Sequence, residues 1–233
     1  TEFTKFFGDL YQWGRKTDGH EKVLSTTSST KVLIDNFDNA GDKFVTTSSA
    51  PHDWLEGTNS KLGRWGSVDP DTPQSTINYK GVNDPCPDGF RVPSTNDWKS
   101  IINGVGDNNG ITENDTGYHN GVNRWKWMNS PNAGWLIYPP KQEVTTPGPG
   151  GIDDYEDTPT LFLPRVMYRV YSGGNFSASG GGHYWSSTIY NNNYYSSVLR
   201  INHGGNYNAD SNSGSRSYGY SVRCVAESRI LAN

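Results

Sequence analysis

Hydrophobic positions in this chain come in short runs, each closed by Asn, Asp, Gly or Pro. Lys31–Ile34 and Lys43–Thr47 are β-branched and aromatic, lie between turn-forming clusters, and predict strands. Trp125, Trp127 and Gly134–Tyr138 predict further strand pieces, as do Leu161–Tyr171, Tyr184–Thr188 and Ser221–Val225. One segment departs from this pattern. Ser94 is followed three residues later by Asp97, and Trp98, Ile101 and Ile102 recur at helical spacing before Gly104. A capping box, an apolar stripe and a glycine stop together predict a helix over Thr95–Asn103. Residues 104–124 are rich in Gly and Asn and read as loop, and Gly173, Gly174 and Gly180–Gly182 read as turns. Around 141–160, Pro147, Gly148, Pro149, Gly150 and Gly151 crowd together and predict a flexible surface insertion. No repeat of fixed period is visible.

The pattern therefore predicts an α+β fold of short antiparallel strands, one or two helices and long loops, in a single domain over residues 1–233. Only 32% of the residues are hydrophobic, yet there are eight Trp, fourteen Tyr and eight Phe, so the core is expected to be aromatic rather than aliphatic. A formal charge of −4 with scattered Lys and Arg supplies no cationic stripe to neutralise phosphates, which argues against a nucleic-acid partner. No apolar run approaches the ~20 residues needed to cross a bilayer, so direct membrane insertion is not expected. Thr1–Leu10 lacks the basic start and apolar centre of a signal peptide. Two cysteines, Cys86 and Cys224, cannot build a four-thiolate metal site, which leaves one disulfide or two buried thiols.

Several blocks resemble a known family. Cys86-Pro87-Asp88-Gly89-Phe90-Arg91-Val92-Pro93-Ser94, continuing to Asp97-Trp98, resembles the "CP.GWRLPT..EW" block of the Fibrobacter succinogenes major paralogous domain. Tyr11-Gln12-Trp13-Gly14-Arg15 is similar to the opening of that domain. Leu161-Phe162-Leu163-Pro164 with Tyr168 and Gly173, then Tyr184-Trp185-Ser186-Ser187-Thr188, then Ser221-Val222-Arg223-Cys224-Val225, match later blocks in order. The resemblance implies a C-type-lectin-like fold, shared with formylglycine-generating enzymes and with the variable proteins of diversity-generating retroelements. It also implies that Cys86 and Cys224 approach each other, since that fold brings its ends together, and that Trp98 and Trp185 belong to the core.

Between the last two blocks the composition changes. Asn, Tyr, Ser and Gly fill 23 of the 32 positions from 189 to 220, as in an antibody paratope, where Tyr gives amphipathic contact area and small polar residues give adaptable hydrogen bonds. Lys, Glu, Gln, Met and Trp are absent there, although 30 of them occur in the rest of the chain. Those five are the amino acids that no codon ending in C encodes, so the stretch has the residue usage of AAC codons randomised at their adenines. Such mutagenesis marks the variable region of retroelement-diversified proteins, which the resemblance places at this end of the chain. The expected ligand-binding residues are Tyr190, Asn191, Asn192, Asn193, Tyr194, Tyr195, Asn202, His203, Asn206, Tyr207, Asn208, Asp210, Asn212, Arg216 and Tyr218. Val198, Leu199 and Ile201 are expected to be partly core.

Other chemistries are weaker. The acidic run Asp153, Asp154, Glu156 and Asp157 lacks the spacing of a calcium loop. His20, His52, His119, His183 and His203 show no zinc-ligand spacing, and no nucleophile motif or phosphate loop is present. Two cysteines far apart do not match the reactive pair of the formylglycine-generating relatives. The expectation is thus a non-enzymatic receptor- or adhesin-type protein without cofactor or metal, at a bacterial or phage-borne cell surface or extracellular. Its expected partner is a protein or a cell-surface glycan. A constant carbohydrate-binding adhesin or lipoprotein domain, and more remotely a formylglycine-generating-like oxidoreductase, are the alternatives.

Overall fold

The computed structural model describes residues 8–57, 63–66, 79–102, 124–128, 133–138, 161–178, 181–190, 195–202, 207–208 and 213–227. Strands dominate, with one α-helix, Thr95–Ile102, and one 3-10 helix, Ile34–Asn39, among these residues. The α+β class is as the sequence pattern predicts. The central sheet has eight described strands in the order Phe176–Ser177, Tyr168–Arg169, Gly219–Ser221, Gly181–Tyr190, Tyr195–Asn202 and Tyr207–Asn208. Leu10–Gln12 adds to Gly219–Ser221, and Ser213–Ser215 adds to Tyr195–Asn202. Leu10 stands opposite Ser221 and Gln12 opposite Gly219, so segments from near the two ends of the chain are neighbours.

The antiparallel pair Gly181–Tyr190 and Tyr195–Asn202 is the spine, and both of its faces are covered. Tyr184, Leu199 and Ile201 pack on Trp98 of the helix and on Trp135, Ile137 and Leu163 of a second sheet, Arg124–Met128, Gly134–Tyr138 and Leu161–Pro164. Trp185, Ile189 and Val198 face the other way, onto Trp13, Trp65, Cys86, Val92 and Tyr220. Val198, Leu199 and Ile201 are fully rather than partly buried, as a strand covered on both faces requires. Phe37, Val45, Trp54 and Leu55 form a third, smaller cluster.

The motif blocks are the joints of this scaffold. In Tyr11-Gln12-Trp13-Gly14-Arg15, the carbonyls of Tyr11, Trp13 and Arg15 accept the indole N–H groups of Trp185, Trp54 and Trp65. A buried indole needs such an acceptor, and three are met by one short segment. Gly14 has φ +82°, and a Cβ there would lie 2.2 Å from Arg64 Cδ, so no other residue fits. The Gln12 amide accepts from Val45 N and Arg15 Nη1 and donates to Val45 O and Ser217 O, tying distant segments together.

Ser94 caps the helix as predicted: Asp97 N donates to Ser94 Oγ, and Ser94 N donates to Asp97 Oδ2 at 2.6 Å. Arg91 clamps the same carboxylate with two N–H groups. The Ser186-Ser187-Thr188 run explains itself through a register shift between Trp185 and Ile189. There the strand bulges and reaches the helix start, with Thr95 N donating to Thr188 Oγ1 and Ser187 N to Pro93 O.

The structure corrects the sequence reading at several places. Ser221–Val225 is not one strand, because Gly219–Ser221 lies in the central sheet while Val225–Ala226 pairs with Phe90–Arg91. Lys31–Ile34 divides into the strand Val32–Leu33 and the start of the 3-10 helix. Gly181 and Gly182 begin a strand rather than a turn, and Gly182 is needed because a Cβ would lie 2.7 Å from the Tyr184 ring. Asn103 and the insertion around 141–160 lie outside the described residues.

Asp53 is the most consequential buried charge. Its carboxylate receives Arg64 Nη1 and Nη2 at 3.2 and 3.1 Å and Arg216 Nη1 at 3.1 Å. Burial alone would raise its pKa, but the charges of Arg64 and Arg216 outweigh it and hold the carboxyl below the usual carboxylate range. Asp53→Asn leaves two guanidiniums without their counter-charge, and should cost about 3–5 kcal/mol of unfolding free energy in urea titrations. The Cys86–Cys224 disulfide closes a separation of 138 residues. Loop-closure entropy then predicts a loss of about 5 kcal/mol for the Cys86→Ser, Cys224→Ser double variant, measured the same way.

Candidate functional site

Within the Asn/Tyr/Ser/Gly-rich stretch, the strands Tyr195–Asn202, Tyr207–Asn208 and Ser213–Ser215 form one side of the central sheet. Tyr190 closes the strand Gly181–Tyr190 and stands opposite Tyr195, which opens the next strand. Beyond that strand, Tyr195, Ser196 and Ser197 face Ser215, Gly214 and Ser213, while Arg200 and Ile201 face Asn208 and Tyr207.

Among the expected binding residues, Tyr195 is 40% exposed and Tyr190 is half-buried. Asn202, Tyr207 and Asn208 occupy strand positions at this side of the sheet. Asn191, Asn192, Asn193, Tyr194, His203, Asn206, Asp210 and Asn212 lie outside the described residues. Arg216 does not belong with the exposed set. It is 1% exposed, pairs with Asp53, and donates Nε to Ser196 Oγ. Burial pulls its pKa down to about 10, so it stays protonated at neutral pH and serves as an internal cation. Ser196, Ser197, Ser215 and Ser217 are also buried. The polar composition of the stretch is therefore partly interior, and among its described side chains Tyr195 is the exposed large one.

Tyr218 belongs to an aromatic ladder that leads out of the core. Trp185 packs on Tyr220 at 4.6 Å between ring centroids, Tyr220 stacks on Tyr218 at 5.1 Å, and Tyr218 meets Tyr171 edge-on at 4.7 Å. Tyr171 in turn contacts His52 at 4.5 Å. Tyr168 packs against Tyr218, Tyr220 and His183. Trp185 and Tyr220 are buried, whereas Tyr168, Tyr171, Tyr218 and His52 are half-buried, so the ladder carries amphipathic rings from interior to surface. Burial raises the Tyr218 phenol, with Tyr171 and Tyr168 adding to the shift.

Residue type alone would not single out Tyr168, Tyr171, His183 and His52. Tyr168 and Tyr171 sit in an apolar run that reads as core strand, and Arg169 reaches Gly219 only through sheet pairing. The one signal available in the sequence is the density of Tyr on either side of the family blocks.

Asp18, His20 and Glu21 place ligand-type atoms within 4.8 Å of one another. The ring of His20 is already engaged on both sides: Nδ1 donates to Asp18 Oδ1 at 2.5 Å and Nε2 accepts from Gln12 N. Arg15 Nη2 holds the other Asp18 oxygen. This arrangement buttresses the Gln12 segment and leaves no ring nitrogen for a cation.

Burial pulls His20 down to about 4, against the raising effect of Asp18, and burial followed by the charge of Arg200 does the same to His183. Both rings are thus neutral in the folded chain near pH 5, where the unfolded chain binds protons, so stability is full above about pH 6.5 and falls as pH drops toward 4. Urea midpoints should decline over that window, and His183→Phe should remove roughly half of the decline.

The model of the Fibrobacter succinogenes major domain matches residues 1–226. No curated protein and no solved structure matches the chain. With the family blocks spread along that whole match and serving as the joints of the core, the chain belongs to the Fibrobacter succinogenes major domain family.

Proposed function

We propose that this chain is a non-enzymatic ligand-binding module on a C-type-lectin-like scaffold, whose outer strands between residues 189 and 220 present a diversified surface. One observation carries the reading. Residues of the family blocks supply joints of the scaffold, while Tyr195 is exposed opposite the half-buried Tyr190, where the strands Gly181–Tyr190 and Tyr195–Asn202 pair at one end. The pairing of Leu10–Gln12 with Gly219–Ser221 supports the lectin-like assignment, since it joins segments from near the chain ends. Rigid rings on a braced sheet lose little entropy on binding, and small polar neighbours adapt to whatever they meet.

A disulfide that closes so long a loop suits an oxidising environment and supports a cell-surface or extracellular setting. Both cysteines are consumed in that bond, which favours a structural role over the reactive thiols of a formylglycine-generating-like oxidoreductase. The partner on this reading is a protein or a cell-surface glycan.

Retroelement diversification leaves a record in DNA. The gene should carry AAC-derived codons at the exposed positions of 189–220, a near-identical non-coding repeat downstream and an adjacent reverse-transcriptase gene. Absence of all three would leave a constant adhesin or lipoprotein domain as the better description. The division between presenting and supporting residues is separately measurable. Tyr195→Ala should change unfolding free energy by less than about 0.5 kcal/mol, as surface substitutions do. Tyr220→Ala should cost about 3–5 kcal/mol through loss of a buried ring.

A further inference from the structure

We propose that Thr47, His52 and Ser217 form a hydroxyl-binding seat beneath Tyr171 and Tyr218 that receives a neutral saccharide. Thr47 Oγ1, His52 Nδ1 and Ser217 Oγ are buried and have no hydrogen-bond partner among the described residues. The residues that carry them are joined in a closed circuit. Thr47 N donates to Tyr171 O at 2.8 Å, the Tyr171 ring lies 4.5 Å from that of His52, and Ser217 N donates to His52 O at 3.1 Å. The Gln12 amide, bonded to both Ser217 O and Val45 O, closes the circuit back toward Thr47. Burying a hydroxyl without a partner is unfavourable, and three orphaned polar atoms on one circuit mark a place built for a polar group.

The chemistry of the seat selects that group. Ser and Thr hydroxyls both donate and accept, and the imidazole Nδ1 of His52 adds a third polar atom, which matches a sugar hydroxyl. Asp53 and Arg216, next in sequence to His52 and Ser217, are bonded to each other, and Arg216 Nη2, which has no hydrogen-bond partner among the described residues, is a further donor for a sugar oxygen. Tyr171 and Tyr218 are half-buried and stand edge to face at 4.7 Å, giving the C–H face of a sugar ring an aromatic surface. Entry requires the Tyr171 side chain, at the start of a surface turn, to swing aside. Ser215 faces Tyr195 in register, two residues before Ser217, so the seat lies at the same end of the sheet as the exposed tyrosine. The inference rests on the ligand-binding reading above and narrows its ligand to carbohydrate.

The test titrates the full chain with glucose, galactose, mannose and N-acetylglucosamine at millimolar concentration and follows amide NMR shifts. At least one sugar is expected to move the amides of Thr47, His52, Tyr171 and Ser217. Thr47→Val, Ser217→Ala and Tyr171→Ala should each weaken that binding by about tenfold or more. The urea midpoints of Thr47→Val and Ser217→Ala should stay at or above that of the parent chain, because each variant removes an unpaired buried hydroxyl. The seat is overturned if no sugar moves these amides, or if binding is unchanged in Thr47→Val and Ser217→Ala. A lowered urea midpoint in both variants also overturns it, since the hydroxyls would then already serve the fold. Tyr195→Ala separates the two readings. Sugar binding lost there but kept in Thr47→Val would leave the outer surface standing and remove the seat, and a failed sugar panel leaves the codon record of the outer surface untouched.

Discussion

Two guanidiniums sharing one buried carboxylate set the terms for the rest of this molecule. Asp53 neutralises only one of Arg64 and Arg216, so an excess positive charge stays inside the protein. Aromatic faces take up the remainder: Arg216 lies over Trp13 at 5.0 Å, and Arg64 lies between Trp13, Trp54 and Phe37 at 5.3 to 5.7 Å. Arg15 repeats the arrangement over Trp54. Ring quadrupoles stabilise a desolvated cation as aliphatic side chains cannot, which gives a physical reason for a core built on Trp and Phe. The indole N–H groups then need acceptors, and the carbonyls of Tyr11, Trp13 and Arg15 supply them.

This construction separates the interior from the outer strand ends. Because the ion cluster, the capping box, the bulge at Ser186–Thr188 and the disulfide hold the scaffold from inside, little is asked of the outer strand ends beyond their backbone pairing. Side chains at such positions can change at little cost to the core. The same division explains why Arg216, though it sits within the variable-looking stretch, cannot be exchanged freely. Its partner Asp53 is 163 residues away in the chain, so no local spacing reveals the pairing.

The local elements were readable before the structure. Ser94 and Asp97 announced the helix start because capping depends on residues three apart, and the short β-branched runs announced strands because pleated backbone favours them. The tyrosine-rich stretch was set apart by its composition, but which of its residues lie inside was not readable. Ser196 and Ser215 look like surface residues, yet they lie within paired strands packed against the core, and burial depends on what covers a strand rather than on its own residues.

By itself, then, the sequence determined the family, the α+β class, the helix start, the aromatic character of the core and the compositional break over 189–220, all of which depend on residues close in the chain or on composition. Tertiary structure alone decided that Asp53 meets Arg64 and Arg216, that Gly181 and Gly182 enter a strand, and that Tyr168, Tyr171 and Tyr218 form one ladder with His52. Each of those depends on contacts between segments tens to hundreds of residues apart. Such contacts follow from how sheets pair and cores close, and no local spacing encodes them.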